Sequence, residues 1–320
     1  MQLYSIIIPV YNRPEEVDDL LRSLTHQTYT HFEVVVVEDG STRPCKEIVD
    51  AFSSTLNIRY FVIPNSGPGM ARNYGAAQSQ GDYLLILDSD VILPECYLEE
   101  VHATLERYPV DAFGGPDRAH ESFTPIQKAI NYAMTSFFTT GGIRGGKRKL
   151  DDFYPRSFNM GIRREVYNAL GGFSKMRYGE DIDFSIRIRK AGYQTRLFPT
   201  AYVYHKRRTN FMQFFRQVKH SGNARIVLYR KYPDSLRLVH GLPALFVVGL
   251  LSVLLLSLLY PLLASLVAIY IVLLGVDAFF QNKCSLKIAG LTICASFIQL
   301  TGYGVGFIQE MFTKPQPVQK

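Results

Sequence analysis

Asp88 and Asp90, one residue apart in Asp88-Ser-Asp90, can supply one or two ligands to a divalent cation. Mg2+ or Mn2+ held this way keeps coordination positions open for a diphosphate. Two other polar motifs, Pro9-Val-Tyr-Asn12 and Glu38-Asp-Gly-Ser41, each follow an apolar run. A further motif, Gly67-Pro-Gly-Met-Ala-Arg-Asn-Tyr-Gly75, places Pro at a helix start and small residues where a backbone can approach a neighbour. Its Arg72 has the reach and charge to meet a phosphate or a base. Each motif alone has an ordinary reading. Asp-Gly-Ser makes turns, acidic loops are solvated, and a glycine-rich turn carries a surface arginine.

The elements around these motifs bring them together. Apolar, β-branched runs at 5–10, 32–37, Ile58–Ile63 and Tyr83–Leu87 alternate with helical patterns from Pro14, near Lys46–Phe52 and from Pro68. In the first helix Val17, Leu20, Leu21 and Leu24 fall on one face. Continuous apolar strands alternating with helices predict an α/β domain with a mostly parallel sheet covered on both faces. Ligands of such sheets bind beyond the carboxyl ends of the strands, where the three polar motifs lie.

Taken in order, Ser5-Ile-Ile-Ile-Pro-Val-Tyr-Asn12, Val37-Glu-Asp-Gly-Ser41, Gly69-Met-Ala-Arg-Asn73, Leu87-Asp-Ser-Asp90 and Gly179-Glu-Asp181 resemble the family 2 glycosyltransferases of the GT-A fold, over roughly residues 3–205. The resemblance implies transfer of a sugar from a nucleotide-diphosphate donor, usually UDP-linked, to an acceptor hydroxyl with inversion. It implies that Pro9, Tyr11 and Asp39 bind the nucleoside, with Arg72 near the base or phosphates. Asp88 and Asp90 hold the cation, Asp90 more directly. Asp181 is implied as the general base, with Glu180 orienting acceptor or base. Asn159, in Phe158-Asn-Met-Gly161, is a candidate sugar contact, and His205 a candidate third metal ligand. From spacing alone, Asp181 reads as the N-cap of a helix ending before Gly192, and Asp183 as an i,i+4 partner of Arg187. His205 alone reads as a structural or solvent-facing histidine.

Composition separates the chain into two parts. Residues 241–280 contain one charged residue, Asp277, and residues 288–308 contain none. A helix crosses the hydrocarbon in about 20 residues, so the forty-residue run is too long for one span. Tyr260-Pro261 divides it, giving spans at 242–259, 262–280 and 288–308. The expected organisation is a catalytic domain over 1–208, a basic amphipathic juxtamembrane segment over 209–240, a membrane region over 241–309 and a tail over 310–320. Residues 206–237 hold nine Lys/Arg against one acidic residue, net +8, while the whole chain is +7. Charge so placed favours a cytoplasmic segment beside anionic lipid over nucleic-acid binding, which needs basic residues interleaved with stacking aromatics. Phe211, Phe214, Phe215 and Val218 recur at helical spacing, the pattern of an interfacial helix or of one packed on its own domain.

Leu3–Val10 reads as a strand with no basic leader before it, and Lys283 and Lys287 lie in the loop between the second and third spans. Together they place the catalytic domain in the cytoplasm and the protein in the inner membrane as a multi-pass protein. Cys45, Cys96, Cys284 and Cys294 show neither disulfide nor zinc spacing. A glycine-rich basic loop at 141–149 is a candidate lid or acceptor contact, or a solvated loop.

The expected partners are a nucleotide sugar, membrane lipids and a lipid-linked acceptor, in capsule, exopolysaccharide or O-antigen assembly. Processive relatives carry Gln-x-x-Arg-Trp, whereas this chain has Gln213-Phe-Phe-Arg216-Gln217 and no tryptophan. A polyprenyl-phosphate glycosyltransferase, a processive synthase, a non-catalytic scaffold and a soluble nucleotidyltransferase are the rival readings.

Overall fold

The computed structural model describes residues 2–140, 153–176, 178–282 and 284–314. The first elements are β1 (Tyr4–Val10), α1 (Pro14–Thr25), β2 (Phe32–Asp39), α2 (Lys46–Phe52), β3 (Ile58–Ile63), α3 (Pro68–Gln78) and β4 (Tyr83–Leu87). They continue with β5 (Val91–Ile92), α4 (Tyr97–Arg107), β6 (Ala112–Gly114), β7 (Asp117–Arg118), α5 (Pro125–Thr135) and α6 (Phe137–Thr140). After these come β8 (Asn159–Arg163), α7 (Arg164–Ala169), α8 (Glu180–Lys190), β9 (Thr195–Leu197) and β10 (Val203–His205). Four helices complete the chain: α9 (Phe211–Lys231), α10 (Leu238–Leu256), α11 (Ala264–Gln281) and α12 (Leu286–Phe312).

The chain divides into two compact units, each discontinuous in sequence. One comprises Met1–His120 with Lys149–Lys206, and the other Glu121–Arg148 with Arg207–Lys320. The expected boundary at 208 falls beside the one at 206/207, and the segment from Glu121 groups with the helices. The α5–α6 segment groups with the apolar helices because Ala129, Ile130, Ala133 and Met134 pack in one cluster with Phe214, Val218 and Ala295.

The first unit is the expected α/β domain. Its sheet runs β3-β2-β1-β4-β8-β6-β9. The β3-β2-β1-β4 half is parallel, with Ile7 paired to both Val35 and Ile86, and β8 runs antiparallel to β4. Ile6, Ile7, Ile8, Val34, Val35, Val36 and Val37 are all fully buried, which is why these strands read as continuous apolar runs rather than alternating ones. Helix α3 lies close against the sheet because it carries no side chain at Gly75. A Cβ there would sit 2.7 Å from Ile7 Cγ2 and 3.1 Å from Val37 Cγ2. A second, three-stranded sheet, β5-β10-β7, lies within the same unit.

The second unit holds three helical segments long and apolar enough to cross a membrane: Leu238–Leu256, Pro261–Gln281 and Leu286–Phe312. They correspond to the three expected spans, with ends shifted by a few residues. Helix α9 packs along α12 through a seam of glycines. A Cβ on Gly302 would lie 2.5 Å from Val218 Cγ2, and one on Gly306 would collide with the carbonyl of Lys219. Gly222 meets the α12 backbone at Tyr303 in the same way. The apolar stripe of α9 is therefore spent within its own unit, with Phe214 and Val218 buried. Small residues at such a seam let helix backbones approach closely.

Candidate active site

The carboxyl ends of β1, β2 and β4 converge in the first unit, and side chains tie their loops together. Asn12, at φ +55, accepts the backbone N–H groups of Thr42 (2.8 Å) and Arg43 (2.9 Å) with Oδ1. Its own N–H donates to Ser41 Oγ at 2.7 Å. Glu38 is buried and accepts from Ser41, from the Cys45 N–H at 2.8 Å and from Tyr60 at 3.1 Å. Gly40 turns the chain at φ +69, where a Cβ would lie 2.6 Å from the Asn65 nitrogen. These contacts make the Glu38–Ser41 loop a fixed floor. Tyr11 is half exposed above it and Pro9 half-buried.

Asp39 is buried, and both its oxygens are engaged by the segment entering α3. Oδ1 accepts from the Ser66 N–H at 2.7 Å and Oδ2 from the Gly67 N–H at 2.9 Å. It therefore holds the loop before α3 in place.

Asp88, Asp90 and His205 come together. One potential ligand atom from each lies within 4.8 Å of the others. The cause is strand pairing: β10 runs antiparallel to β5 with His205 opposite Val91, and the Lys206 N–H donates to the Asp90 carbonyl at 2.9 Å. The His205 ring stacks on Phe158, centroids 5.1 Å apart, with Nε2 3.1 Å from Asp90 Oδ1. Two carboxylates and an imidazole form a donor set suited to a divalent cation such as Mn2+. In the chain alone Asp90 also pairs with Arg13.

Arg72 is 4% exposed and does not project into solvent. One amino group donates to Asp88 at 2.8 Å and the other to Glu180 at 2.9 Å, with the guanidinium over the Phe173 ring. Arg72 thus forms a strut between the Asp-x-Asp loop and the start of α8. Gly69 permits this contact, since a Cβ there would lie 3.3 Å from Glu180 Cγ.

Helix α8 begins at Glu180 with Gly179 as its N-cap, at φ +81. Asp181 is thus inside the first turn and does not cap. Its Oδ1 accepts the Ile182 N–H at 2.8 Å, and its Oδ2 accepts Arg156 Nε at 2.5 Å. Burial opposes the Asp181 charge, but Arg156, with help from Arg72, outweighs it and holds the carboxyl below its ordinary range. Glu180 is displaced the other way, by burial first and then by the Asp181 charge, against the pull of Arg72. The two neighbouring carboxyls are thus driven in opposite directions. Asp183 pairs with Arg187 at 3.0 Å as its spacing suggests, and also accepts from Ser174.

Asn159 pairs with Leu87, next to the Asp-x-Asp loop. It is fully buried, accepting from Tyr97 at 2.6 Å and donating to the Ala201 carbonyl at 2.8 Å. Both ends of the amide are engaged internally, which makes Asn159 a brace between α4 and the turn before β10. Arg13 and Arg156 were not singled out from the sequence. Each is placed only by folding, 77 and 25 residues from its carboxylate partner. The basic loop at 141–149 lies outside the described residues.

The sequence model of glycosyl transferase family 2 matches residues 5–171, and the chain belongs to that family. Glycosyltransferase AglE of Haloferax volcanii is 29% identical over 252 residues, 77% of this chain and 81% of that protein. The mannosyltransferase PcManGT of Pyrobaculum calidifontis, solved with GDP-Man and Mn2+, superposes with a TM-score of 0.63 at 17% identity, covering 93% of this chain and 87% of that one. TarS 1–349 of Staphylococcus aureus, solved with UDP-GlcNAc, gives a TM-score of 0.53 at 18% identity, covering 97% and 91%. These likenesses establish a mixed α/β fold of GT-A type. Some relatives are much longer: the chain spans 12% of an uncharacterised glycosyltransferase of Rickettsia bellii and 20% of the TarS polypeptide.

Proposed function

We propose that the protein is an inverting, cation-dependent glycosyltransferase that moves one sugar from a nucleotide-diphosphate donor, UDP-linked, to a hydroxyl of a lipid-linked acceptor in cell-surface glycan assembly. The observation that carries the reading is the link made by Arg72, which joins the Asp88–Asp90–His205 cluster to the Glu180–Asp181 turn. One buried guanidinium ties the residues suited to a diphosphate to those suited to a proton transfer.

Asp88, Asp90 and His205 would hold the cation, with Asp90 the most central. A divalent ion bound there supplies electrostatic stabilisation of the departing diphosphate. Asp181 takes the proton of the attacking hydroxyl. Arg156 holds that carboxylate ionised and oriented ahead of the transfer. Glu180, held by Arg72, sets the position of that turn. Tyr11, exposed beside the Glu38–Ser41 floor, packs against the nucleoside, with Pro9 beneath it. Helices α10, α11 and α12 keep the enzyme in the inner membrane with the catalytic unit in the cytoplasm, where a lipid-linked acceptor is concentrated. The division at residues 120/121, 148/149 and 206/207 is the working domain organisation.

The test uses full-length protein in lipid nanodiscs with Mn2+ or Mg2+. UDP-, GDP- and dTDP-sugars are scored for nucleotide release with and without a bacterial lipid extract. Release from one donor that rises with the extract supports the reading. No release from any donor under either condition removes it.

A further inference from the structure

Residues 121–140 leave the α/β unit and join the helical one, and they contact the spanning helices at two depths. Tyr132, buried on α5, donates its hydroxyl to Asp277 of α11. One turn and a bend later, the Phe138 carbonyl accepts from Tyr270 of the same helix at 3.1 Å. Asp277 lies four residues before the end of α11 at Gln281, and Tyr270 lies eleven before it. At 1.5 Å per residue those positions are about 6 and about 16 Å along the helix axis. The hydrocarbon layer is about 30 Å thick, so a contact about 16 Å from the end of a just-spanning helix falls near its middle. The Tyr270 ring also belongs to the aromatic cluster at which the three spanning helices meet, 5.7 Å from Phe246 of α10 and 5.8 Å from Phe297 of α12.

The composition of the segment agrees with that depth. No charged residue occurs from Ala129 to Thr140, although charge makes up 20% of the chain. Ala129, Ile130, Ala133 and Met134 pack in one cluster with Ala295, and Tyr132 packs with Leu274, Ala278 and Ala289. The face turned outward is also apolar at its tip, with Phe137 73% exposed and Phe138 37% exposed. Ser136 and Thr139 lie among these residues, but their hydroxyls are spent locally. Thr139 Oγ1 donates to the Ala133 carbonyl at 2.6 Å, and Ser136 Oγ accepts the Phe138 N–H at 3.2 Å. Backbone that leaves a helix at membrane depth is tolerated where such groups and neighbouring helices satisfy it.

We infer that α5 and α6 form a re-entrant element that dips into the hydrocarbon beside α11 and α12, with Phe137 and Phe138 against lipid acyl chains. The occupant of the exposed face is the bilayer itself, because Phe138 is hydrogen-bonded to Tyr270, whose neighbours Ile269 and Leu273 on α11 are themselves exposed apolar residues. The inference rests on the reading of those helices as membrane-embedded. It adds a fourth membrane element, drawn from within the family-matched region rather than after it.

The chain contains no tryptophan, so a single introduced indole reports one position. Phe137→Trp, with Phe138→Trp as a second reporter, is reconstituted as full-length protein in vesicles of phosphatidylcholine brominated at defined acyl carbons. Leu251→Trp on α10 reports the spans, and Val62→Trp on β3, 65% exposed, reports water. The expected result is blue-shifted emission from positions 137 and 138, quenched by brominated lipid as at 251 and shielded from aqueous iodide. Iodide quenching at 137 and 138 without lipid quenching, while 251 is lipid-quenched, overturns the re-entrant element and leaves the spans standing. An unquenched 251 overturns the membrane reading itself and this inference with it.

Discussion

Arg156 Nε sits 2.5 Å from Asp181 Oδ2, so the carboxylate proposed to take a proton is held by a cation. The Asp90 carboxylate is likewise paired with Arg13, and Asp88 with Arg72. Three acidic groups of the site thus each have an arginine partner. Each pairing orients its carboxylate, and each must yield to or share with whatever binds.

Replacing Asp181 with Asn keeps the shape of the first turn of α8 and removes the proton acceptor. We expect donor binding by calorimetry to be retained and transfer to fall by roughly 10²–10⁴-fold, the usual contribution of a general base. Near-full activity in this variant would falsify the assignment.

Arg156→Gln addresses the same carboxylate through its partner. With the guanidinium gone, burial acts on Asp181 without its strongest counterweight, and burial disfavours the charge. The acid limb of the kcat/KM profile is therefore expected at higher pH than in the wild type. The sign follows for stability too. A depressed carboxyl stabilises the fold above its unfolded pKa, and that contribution is lost as pH falls through the folded value. An acid limb that does not move would mean Arg156 does not set the charge of the base.

His205→Ala and Asp90→Asn are expected to weaken Mn2+ binding, read directly by electron paramagnetic resonance in the absence of donor. Removing even an outer partner of a metal ligand costs about 10–100-fold in affinity, and loss of a ligand should reach at least that range. Unchanged Mn2+ binding in both variants would remove the cation from this cluster.

Asn159→Ala separates the two accounts of that residue. As an internal brace it should cost about 1–3 kcal/mol in stability, by leaving Tyr97 and the Ala201 carbonyl without their buried partner. The donor KM of the folded fraction should stay put. A raised KM with unchanged thermal stability would favour the sugar contact.

The glycine seam offers a paired test in the helical unit. Gly306→Val should destabilise by about 1–3 kcal/mol, because the new side chain meets the α9 backbone. Gly249→Val on α10, where nothing lies within 4 Å, should be close to neutral. The readout is loss of helical circular dichroism on heating in detergent.

What could be read from sequence followed its range of interaction. Strands β1, β2 and β4 announce themselves because each is buried on both faces, so the local run of Val, Ile and Leu is enough, while the edge strand β3 is only part-buried and reads from its β-branched run. Asp88 and Asp90 stand at a strand end and are legible for the same reason. Arg13 and Arg156 are not, since a surface-type residue acquires its partner only when distant loops meet. Asn159 is ambiguous in sequence because an amide beside a motif looks the same whether it faces a ligand or Tyr97. The α5–α6 segment was missed because twelve uncharged residues are too few to read as a span, and only the contacts to Tyr270 and Asp277 reveal their depth.

The strand order has a consequence for how the chain is made. β6 joins the sheet only through β8 and β9, since β8 lies between it and β4. When a ribosome has delivered Gly114, the place that β6 will occupy does not yet exist, and β8 begins 45 residues later at Asn159. At about 5–20 residues per second that interval is roughly 2–9 s. During it the β3-β2-β1-β4 half can close on its own helices while α5 and α6 emerge. The apolar 129–140 stretch is therefore synthesised before the catalytic sheet can be complete, and before any of the three later spans.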